Sequence, residues 1–284
     1  MAMKPLLPLA FANFGAFTRR LVKAGVFAAL FAVPDLSQGD IVANFSGGGS
    51  SSSPVTDQVD AWTGMAGGGW RSAWALRNNY DSGVTPPTVE VVSTPNQHWS
   101  GSRLQVNPAA PTPDKPRQKW SIGRAYDFEA LGSDEITISF QISIDDLGAF
   151  LTTATNSFFV GENSDSASGN TTSATRWYVE AFGGSDPNSA VGGGNSGAKQ
   201  GQWNVGNGTS YVPTGILLQE DTLYTFTLTL NNTSHQYTLT LTDGTNTFIS
   251  ELLNFRSTES LGGAIAFGET TPAGQNLGFS LGNI

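Results

Sequence analysis

Arg176, Tyr178 and Glu180 occupy alternate positions of one short segment and are the best candidates for acid–base chemistry in this chain. In a β-strand, alternate residues point to the same face, so these three side chains would lie opposite Trp177 and Val179. An arginine, a phenol and a carboxylate in one row could neutralise an acidic sugar and transfer a proton. The same row also fits a cross-strand ion pair with a tyrosine covering the sheet, which would stabilise the fold without catalysing a reaction.

Histidine is scarce, with only two residues in the chain. His98 lies next to Trp99 and could serve as the base of a lyase, whereas His235 is expected in an exposed turn. The chain has no His-x-His or His-Glu-x-x-His zinc spacing and no Gly-x-Ser-x-Gly nucleophile elbow. It also lacks the Glu-x-Asp-x-Glu alternation that would place two carboxylates on one strand face of a retaining glycosidase. We therefore predict no metal-ligand set, and we treat Glu180, Tyr178, Arg176 and His98 as the catalytic candidates.

Five tryptophans are candidates for a sugar-facing surface, because the apolar face of a pyranose ring stacks on an indole. They are Trp70, Trp74, Trp99, Trp120 and Trp203. Three glycines precede Trp70 and would let a ring approach the backbone closely. Trp70 and Trp74 fit equally well as core anchors that close one end of a β-sandwich, and Trp203, which follows a glycine-rich loop, is the better candidate for an exposed platform.

A basic cluster falls between positions 103 and 124, where five of the ten lysines and arginines after residue 40 occur. They are Arg103, Lys115, Arg117, Lys119 and Arg124. Arg117 and Arg124 could make bidentate contacts with a carboxylated or sulfated glycan while Trp120 stacks on it. The alternative is a solvated loop.

The first 40 residues resemble a secretory signal peptide. Four basic residues precede the apolar run 24–33, which is too short to cross a bilayer as a helix. We therefore predict cleavage between Ser37 and Val42, secretion to the periplasm or the extracellular space, and a mature domain that starts near residue 41. No second apolar run of membrane length follows, so we expect a soluble mature product without a membrane partner.

Charge and cysteine content exclude several kinds of partner and site. From residue 41 onward, 10 basic residues face 21 acidic ones, a net charge of −11. Nucleic acids and anionic membranes require a cationic field, so neither is expected as a partner. The chain has no cysteine, which rules out disulfides, zinc–thiolate sites and cysteine nucleophiles.

Alternation of apolar residues with threonine and serine predicts strands in the middle and at the end of the chain. The clearest segment is 135–144, and segments 224–230 and 237–242 form a hairpin around the turn 231–234. Asp243 and Gly244 then turn the chain into a strand near 247–253. Further strands are predicted at 41–45, 103–106, 157–160, 176–182, 264–267 and 277–281.

No segment after residue 40 carries a sustained helical period, so residues 41–284 are expected to form a single all-β domain. With ten to fourteen strands and no internal repeat, an antiparallel two-sheet β-sandwich of the jelly-roll type is favoured over a barrel or a propeller.

The chain resembles secreted proteins of planctomycete and verrucomicrobial bacteria that contain a concanavalin-A-like, laminin-G-like jelly roll, a family of largely unknown activity. The resemblance rests on the signal-like start, Asn44–Phe45, the glycine–tryptophan stretch 67–74, the hairpin block 224–231 and the closing segment 279–284. It implies a concanavalin-A-like lectin or glucanase type of sandwich over nearly the whole mature chain. Many members end with an acidic residue where this chain has Gly282, and in related sandwiches that residue helps to hold a structural calcium. No cofactor is therefore expected to be required, and a structural calcium stays a weaker alternative.

Three functions remain open, because the fold alone does not choose among them. The first is a secreted carbohydrate-binding protein that recognises a polysaccharide, with an anionic polymer as one option. The second is an extracellular polysaccharide lyase or glycoside hydrolase that uses Glu180, Tyr178, Arg176 or His98. The third is a structural protein of the envelope or matrix without a specific ligand.

Overall fold

Two antiparallel sheets form the architecture of the described part of the chain. The computed structural model describes residues 43, 45, 70–78, 87–108, 118–126, 135–163, 175–258, 263–271, 275–282 and 284. These residues all belong to one compact unit, Leu36–Ile284. The predicted signal peptide lies outside the described residues, and of the predicted strand 41–45 only Ala43 and Phe45 are described.

The first sheet has eight strands. Its strands are β2 (Thr88–Val92), β3 (Arg103–Asn107), β5 (Glu135–Asp146), β10 (Thr222–Asn231), β11 (Gln236–Thr242), β12 (Thr247–Ile249), β13 (Leu253–Asn254) and β15 (Gly278–Leu281). Their order across the sheet is β12-β11-β10-β5-β15-β3-β2, and β13 pairs with β11 beside β12.

The second sheet has seven strands. Its strands are β1 (Ala75–Asn78), β4 (Gln118–Ala125), β6 (Ser157–Asn163), β7 (Thr175–Phe182), β8 (Gln202–Asn207), β9 (Ser210–Leu217) and β14 (Ala264–Thr271). Their order is β1-β4-β14-β6-β7-β8-β9. The chain passes repeatedly from one sheet to the other, as from β4 to β5, from β5 to β6 and from β14 to β15.

The core lies between the two sheets and is built from the inward residues of each strand. Phe140 and Phe226, which are paired across β5 and β10, stack with ring centroids 4.8 Å apart. Trp177 of the second sheet packs on Phe140 at 6.3 Å. Burying such apolar side chains contributes about 1.5–3 kcal/mol each, so the alternation that forms the strands also drives the sheets together.

The prediction of an all-β, antiparallel two-sheet sandwich is confirmed. The strands predicted after residue 100 are present with their ends shifted by up to four residues, except the predicted strand 247–253, which is divided into β12 and β13 by residues 250–252. The hairpin of β10 and β11 has the predicted turn, in which His235 is exposed with a φ of 55°. Five strands were not predicted, namely β1, β2, β4, β8 and β9.

The helical content of the described residues is one 3₁₀ turn, Phe150–Thr152. No helix in these described residues is long and apolar enough to span a membrane.

A smaller apolar cluster lies on the outer face of the seven-stranded sheet. Tyr178 and Tyr211 belong to it, together with Val191 and Ala198 of the segment 183–201 between β7 and β8. This segment therefore covers part of the outer face and buries side chains that a bare sheet would expose.

Candidate functional site

The predicted alternation in β7 holds for Trp177, Tyr178, Val179 and Glu180. Trp177 and Val179 belong to the core between the sheets, whereas Tyr178 lies in the outer cluster. Glu180 is on the same outer side and bonds to Tyr211, a member of that cluster.

Arg176 departs from this alternation, so the prediction that it shares a face with Tyr178 and Glu180 is wrong. The register between β6 and β7 shifts between Gly161 and Asn163, which sets two residues of β7 against Glu162. Such a bulge re-aims a side chain. Arg176 forms an ion pair with Glu162, and Nη1 lies 3.4 Å from Oδ1 of Asn232 in the opposite sheet's β10–β11 turn.

Tyr126 completes this buried cluster at one end of the sandwich. Its hydroxyl donates to Glu162, and Nη2 of Arg176 donates to the same hydroxyl at 3.2 Å. Burial lowers the pKa of Arg176 and raises that of Tyr126. The sequence analysis offered a stabilising ion pair as the alternative to catalysis. Such an ion pair exists, but its carboxylate belongs to Glu162 and not to Glu180.

Glu180 is enclosed rather than open to solvent. Its side chain is 6% exposed, and the Tyr211 hydroxyl donates to Oε2 at 2.5 Å. Burial raises the pKa of Glu180, and hydrogen bonds from Tyr211 and Ser157, together with the charge of Arg256, oppose this rise in part. A carboxyl with a raised pKa is suited to proton transfer, but here its near neighbours are protein groups.

Tyr178 is also used by the fold. Its hydroxyl lies 3.1 Å from the carbonyl oxygens of Gly208 and Ser210, and a Cβ at Gly206 would meet its ring at 2.3 Å. The guanidinium of Arg256 lies 6.0 Å from the ring centroid. The ring therefore packs closely against Gly206 of β8, and burial raises the pKa of the Tyr178 hydroxyl.

His98 lies in the loop between β2 and β3 of the other sheet, so the structure does not bring it together with Glu180. Nε2 of His98 is 3.0 Å from the carbonyl oxygen of Asp221, and the neighbouring Trp99 donates from Nε1 to Ser143 Oγ at 3.0 Å on the outer face of the eight-stranded sheet. The four catalytic candidates thus fall in three places: the outer cluster, the buried cluster at the sandwich end, and the loop before β3.

The five tryptophan candidates are all buried. Trp203 is 0% exposed and packs between the sheets, so the prediction of an exposed platform is wrong. Trp70, Trp74 and Trp120 belong to the same core, which confirms the core-anchor interpretation of the first two. Trp99 is 7% exposed and lies against Gly282, where a Cβ would meet its ring at 2.1 Å.

The described arginines of the basic cluster are structural. Arg124 is fully buried, donates from Nε to the carbonyl oxygen of Ser72 at 3.0 Å and lies 4.4 Å from the ring centroid of Trp70. Arg103 donates to the Thr94 carbonyl at 2.7 Å. The solvated-loop interpretation is therefore wrong for both. Lys115 and Arg117 lie outside the described residues, as does the side chain of Lys119.

No group of three histidine, aspartate or glutamate side chains within the described ranges could hold a metal ion. Calcium can also bind through backbone and amide oxygens, so the structural calcium, the weaker alternative of the sequence analysis, stays a prediction.

The outer face of the eight-stranded sheet presents an ordered polar surface that the sequence analysis did not identify as a site. We call it the hydroxyl face and define it by nine outward residues: Thr137, Ser139 and Gln141 of β5, Thr225, Thr227 and Thr229 of β10, and Thr238, Thr240 and Thr242 of β11. All nine are exposed or half-buried.

Strand pairing arranges these side chains in three rows across the sheet. The rows are Gln141–Thr225–Thr242, Ser139–Thr227–Thr240 and Thr137–Thr229–Thr238. Ser139 Oγ donates to Thr227 Oγ1 at 3.3 Å, and Gln141 Nε2 donates to Thr225 Oγ1 at 3.2 Å. The alternation in each strand predicts its polar side, but it does not predict that three strands align these sides in register.

Comparison with known proteins finds no matching family model and no matching curated protein. Solved structures do match. A sialidase is 11% identical with a TM-score of 0.41, over 73% of this chain and 16% of the sialidase, so this chain spans a small part of that protein's length. Peanut lectin is 11% identical with a TM-score of 0.41, over 75% of this chain and 96% of the lectin. Lectin I from Ulex europaeus is 14% identical with a TM-score of 0.39, over 74% of this chain and 89% of the lectin. Any assignment of function therefore has to come from the geometry of this chain.

Proposed function

We propose that this protein is a secreted carbohydrate-binding β-sandwich protein that recognises a polysaccharide through the hydroxyl face. The observation that carries the proposal is the alignment of nine outward polar side chains in three cross-strand rows.

The chemistry of this face matches that of a sugar surface. A threonine or serine hydroxyl can donate one hydrogen bond and accept two, and the Gln141 amide both donates and accepts. Sugar hydroxyls have the same dual character, and the threonine methyl groups can contact the apolar C–H faces of the rings. Each hydrogen bond gained contributes a net of about 0.5–1.5 kcal/mol, so binding requires several rows together.

The enclosure of Glu180 supports binding over catalysis. A polymer would have to displace Tyr211 and part of the outer cluster to reach this carboxyl, whereas the nine side chains of the hydroxyl face are exposed or half-buried. The lyase or hydrolase alternative therefore requires a rearrangement that the binding function does not.

Secretion and family membership belong to the same proposal. Residues 1–40 supply the predicted signal peptide, which would direct the domain to the periplasm or the extracellular space. Kinship with the jelly-roll proteins of planctomycete and verrucomicrobial bacteria is consistent with the two-sheet sandwich.

A sedimentation assay tests this function. The full-length protein is mixed with particles of cellulose, insoluble mannan or calcium alginate, and the bound fraction is measured after centrifugation. We expect retention on at least one polymer, and a loss of about tenfold or more in affinity for Thr227→Ala/Thr229→Ala/Thr240→Ala.

The matched control removes three exposed hydroxyls elsewhere, in Ser185→Ala/Ser196→Ala/Thr258→Ala, and should bind like the wild type. Size-exclusion chromatography of the polymers after incubation tests the enzyme alternative, because a lyase or hydrolase shortens the chains. A wild-type protein that is retained on none of the three polymers would refute the binding proposal.

A further inference from the structure

We infer that the polysaccharide recognised by the hydroxyl face is uncharged. This inference rests on the proposed function and specifies its ligand class.

The first argument is the charge on the face itself. None of its nine side chains is ionisable, although the whole chain carries 14 basic and 23 acidic residues. Glu135 is the acidic residue next along β5, and it pairs with Asn231 beyond the third row. A polyanion gains affinity from cations that face it, and these rows supply none.

The second argument concerns the arginines that were candidates for an acidic glycan. Arg103 and Arg124 are buried and bonded to protein groups, and Arg176 is paired with Glu162. These three guanidiniums are therefore committed to the fold and are not presented at the hydroxyl face.

The third argument is the spacing of the hydrogen-bonding groups. Neighbouring strands are about 4.8 Å apart, and outward residues along a strand are about 6.8 Å apart. These spacings are of the order of one sugar ring, so the three rows can meet hydroxyls from successive rings. At the β12 side the face continues to Ile249, which pairs with Thr240 and is 73% exposed, and so adds an apolar contact for a ring face.

Charges of either sign placed in the central row provide the test. The variants are Thr227→Lys/Thr240→Lys and Thr227→Glu/Thr240→Glu, with Ser185→Lys/Ser196→Lys and Ser185→Glu/Ser196→Glu as controls on the segment that covers the other sheet. The probes are cellulose and insoluble mannan, which are neutral, and calcium alginate, which is anionic. Thr137→Lys and Thr137→Glu, at an exposed site of the face, repeat the test with a single change that is milder for folding.

If the partner is uncharged, the lysine pair and the glutamate pair should each weaken retention on the neutral polymers by about tenfold. A charged side chain at the contact would lose its bound water, and the polymer would offer no opposite charge in return. The controls stay within about twofold of the wild type. Wild-type retention also changes little between about 0.01 M and about 1 M salt, a range over which screening would remove an ionic attraction.

One result would overturn the inference while the proposed function stands. It is wild-type retention on alginate that the lysine pair strengthens and the glutamate pair weakens, which would identify an anionic partner at the hydroxyl face. Unchanged retention of all the charged variants would place the binding surface elsewhere, and it would overturn both the inference and the proposed role of the hydroxyl face. Failure of the wild type to bind any of the three polymers is a different result, since it refutes the proposed function itself.

Discussion

The hydroxyl of Tyr211 on β9 donates a hydrogen bond to Oε2 of Glu180 on β7 at 2.5 Å, and so bridges the strand β8 that lies between them. The Tyr211 ring also packs edge-on against Tyr178, with centroids 5.2 Å apart. This bond ties the best acid–base candidate of the sequence into the outer cluster, and its strength can be measured.

Replacing Tyr211 by phenylalanine should destabilise the protein by about 2 kcal/mol at pH 7, because Glu180 stays buried with one partner fewer. The pKa of Glu180 is already raised by burial, and losing the Tyr211 bond should raise it further. When a carboxyl has a higher pKa in the folded state than in the unfolded state, the stability falls as the pH rises above the unfolded-state pKa. The destabilisation caused by Tyr211→Phe should therefore be larger at pH 8 than at pH 5.

Urea unfolding at the two pH values measures this difference. The double-mutant cycle with Glu180→Gln gives the coupling between the two side chains. A Tyr211→Phe effect that is equal at both pH values and additive with Glu180→Gln would show that the bond is energetically unimportant.

Breaking the buried pair of Arg176 and Glu162 should be severe. Arg176→Met leaves the carboxylate of Glu162 buried without its counter-charge, and we expect a loss of about 3–5 kcal/mol. The double variant Arg176→Met/Glu162→Gln removes both charges and should recover a large part of that loss.

Arg176→Lys is the matched variant that keeps the charge. Because an ammonium group lacks the planar fork of a guanidinium, it cannot reproduce the contacts with Tyr126 and Asn232, and we expect an intermediate loss. Urea unfolding midpoints of the three variants test this order of stability. If Arg176→Met/Glu162→Gln were as unstable as Arg176→Met, the loss could not be explained by an unpaired charge on Glu162.

Glu269 should make stability depend on pH near neutrality. Burial raises its pKa from the usual 4.5 to about 8, against the opposing effect of hydrogen bonds from the Leu277 backbone and the Trp120 indole. Between these two values the folded state holds a proton that the unfolded state has released, so the free energy of unfolding falls as the pH rises, by at most about 1.4 kcal/mol per pH unit.

Glu269→Gln removes this titration. The variant should therefore gain stability relative to the wild type as the pH increases from 5 to 9, as measured by thermal or urea unfolding across that range. Glu251→Gln, at an exposed glutamate, measures the effect of removing a surface carboxylate alone. A constant difference between Glu269→Gln and the wild type at all pH values would contradict the shifted pKa.

The alternation of apolar and polar residues was enough to predict the strands in which it is regular. β5, β10 and β11 combine a strict two-residue period with β-branched residues, and their hairpin turn is signalled by asparagine and serine. β8 and β9 contain glycine, asparagine and Pro213, which locally favour turns, and only their pairing in the sheet makes them strands.

The sequence by itself thus determined the fold class and the polar side of each regular strand, because both follow from a period that is local to the chain. The tertiary structure decided which side chains are exposed and which meet. The strand position of Trp203 points it into the core despite its glycine-rich surroundings, and a bulge turns Arg176 away from Glu180 toward Glu162. The rows of the hydroxyl face arose in the same way, because the pairing of β5 with β10 joins residues 78 to 96 positions apart in the sequence, and that register is fixed by packing of the inward residues.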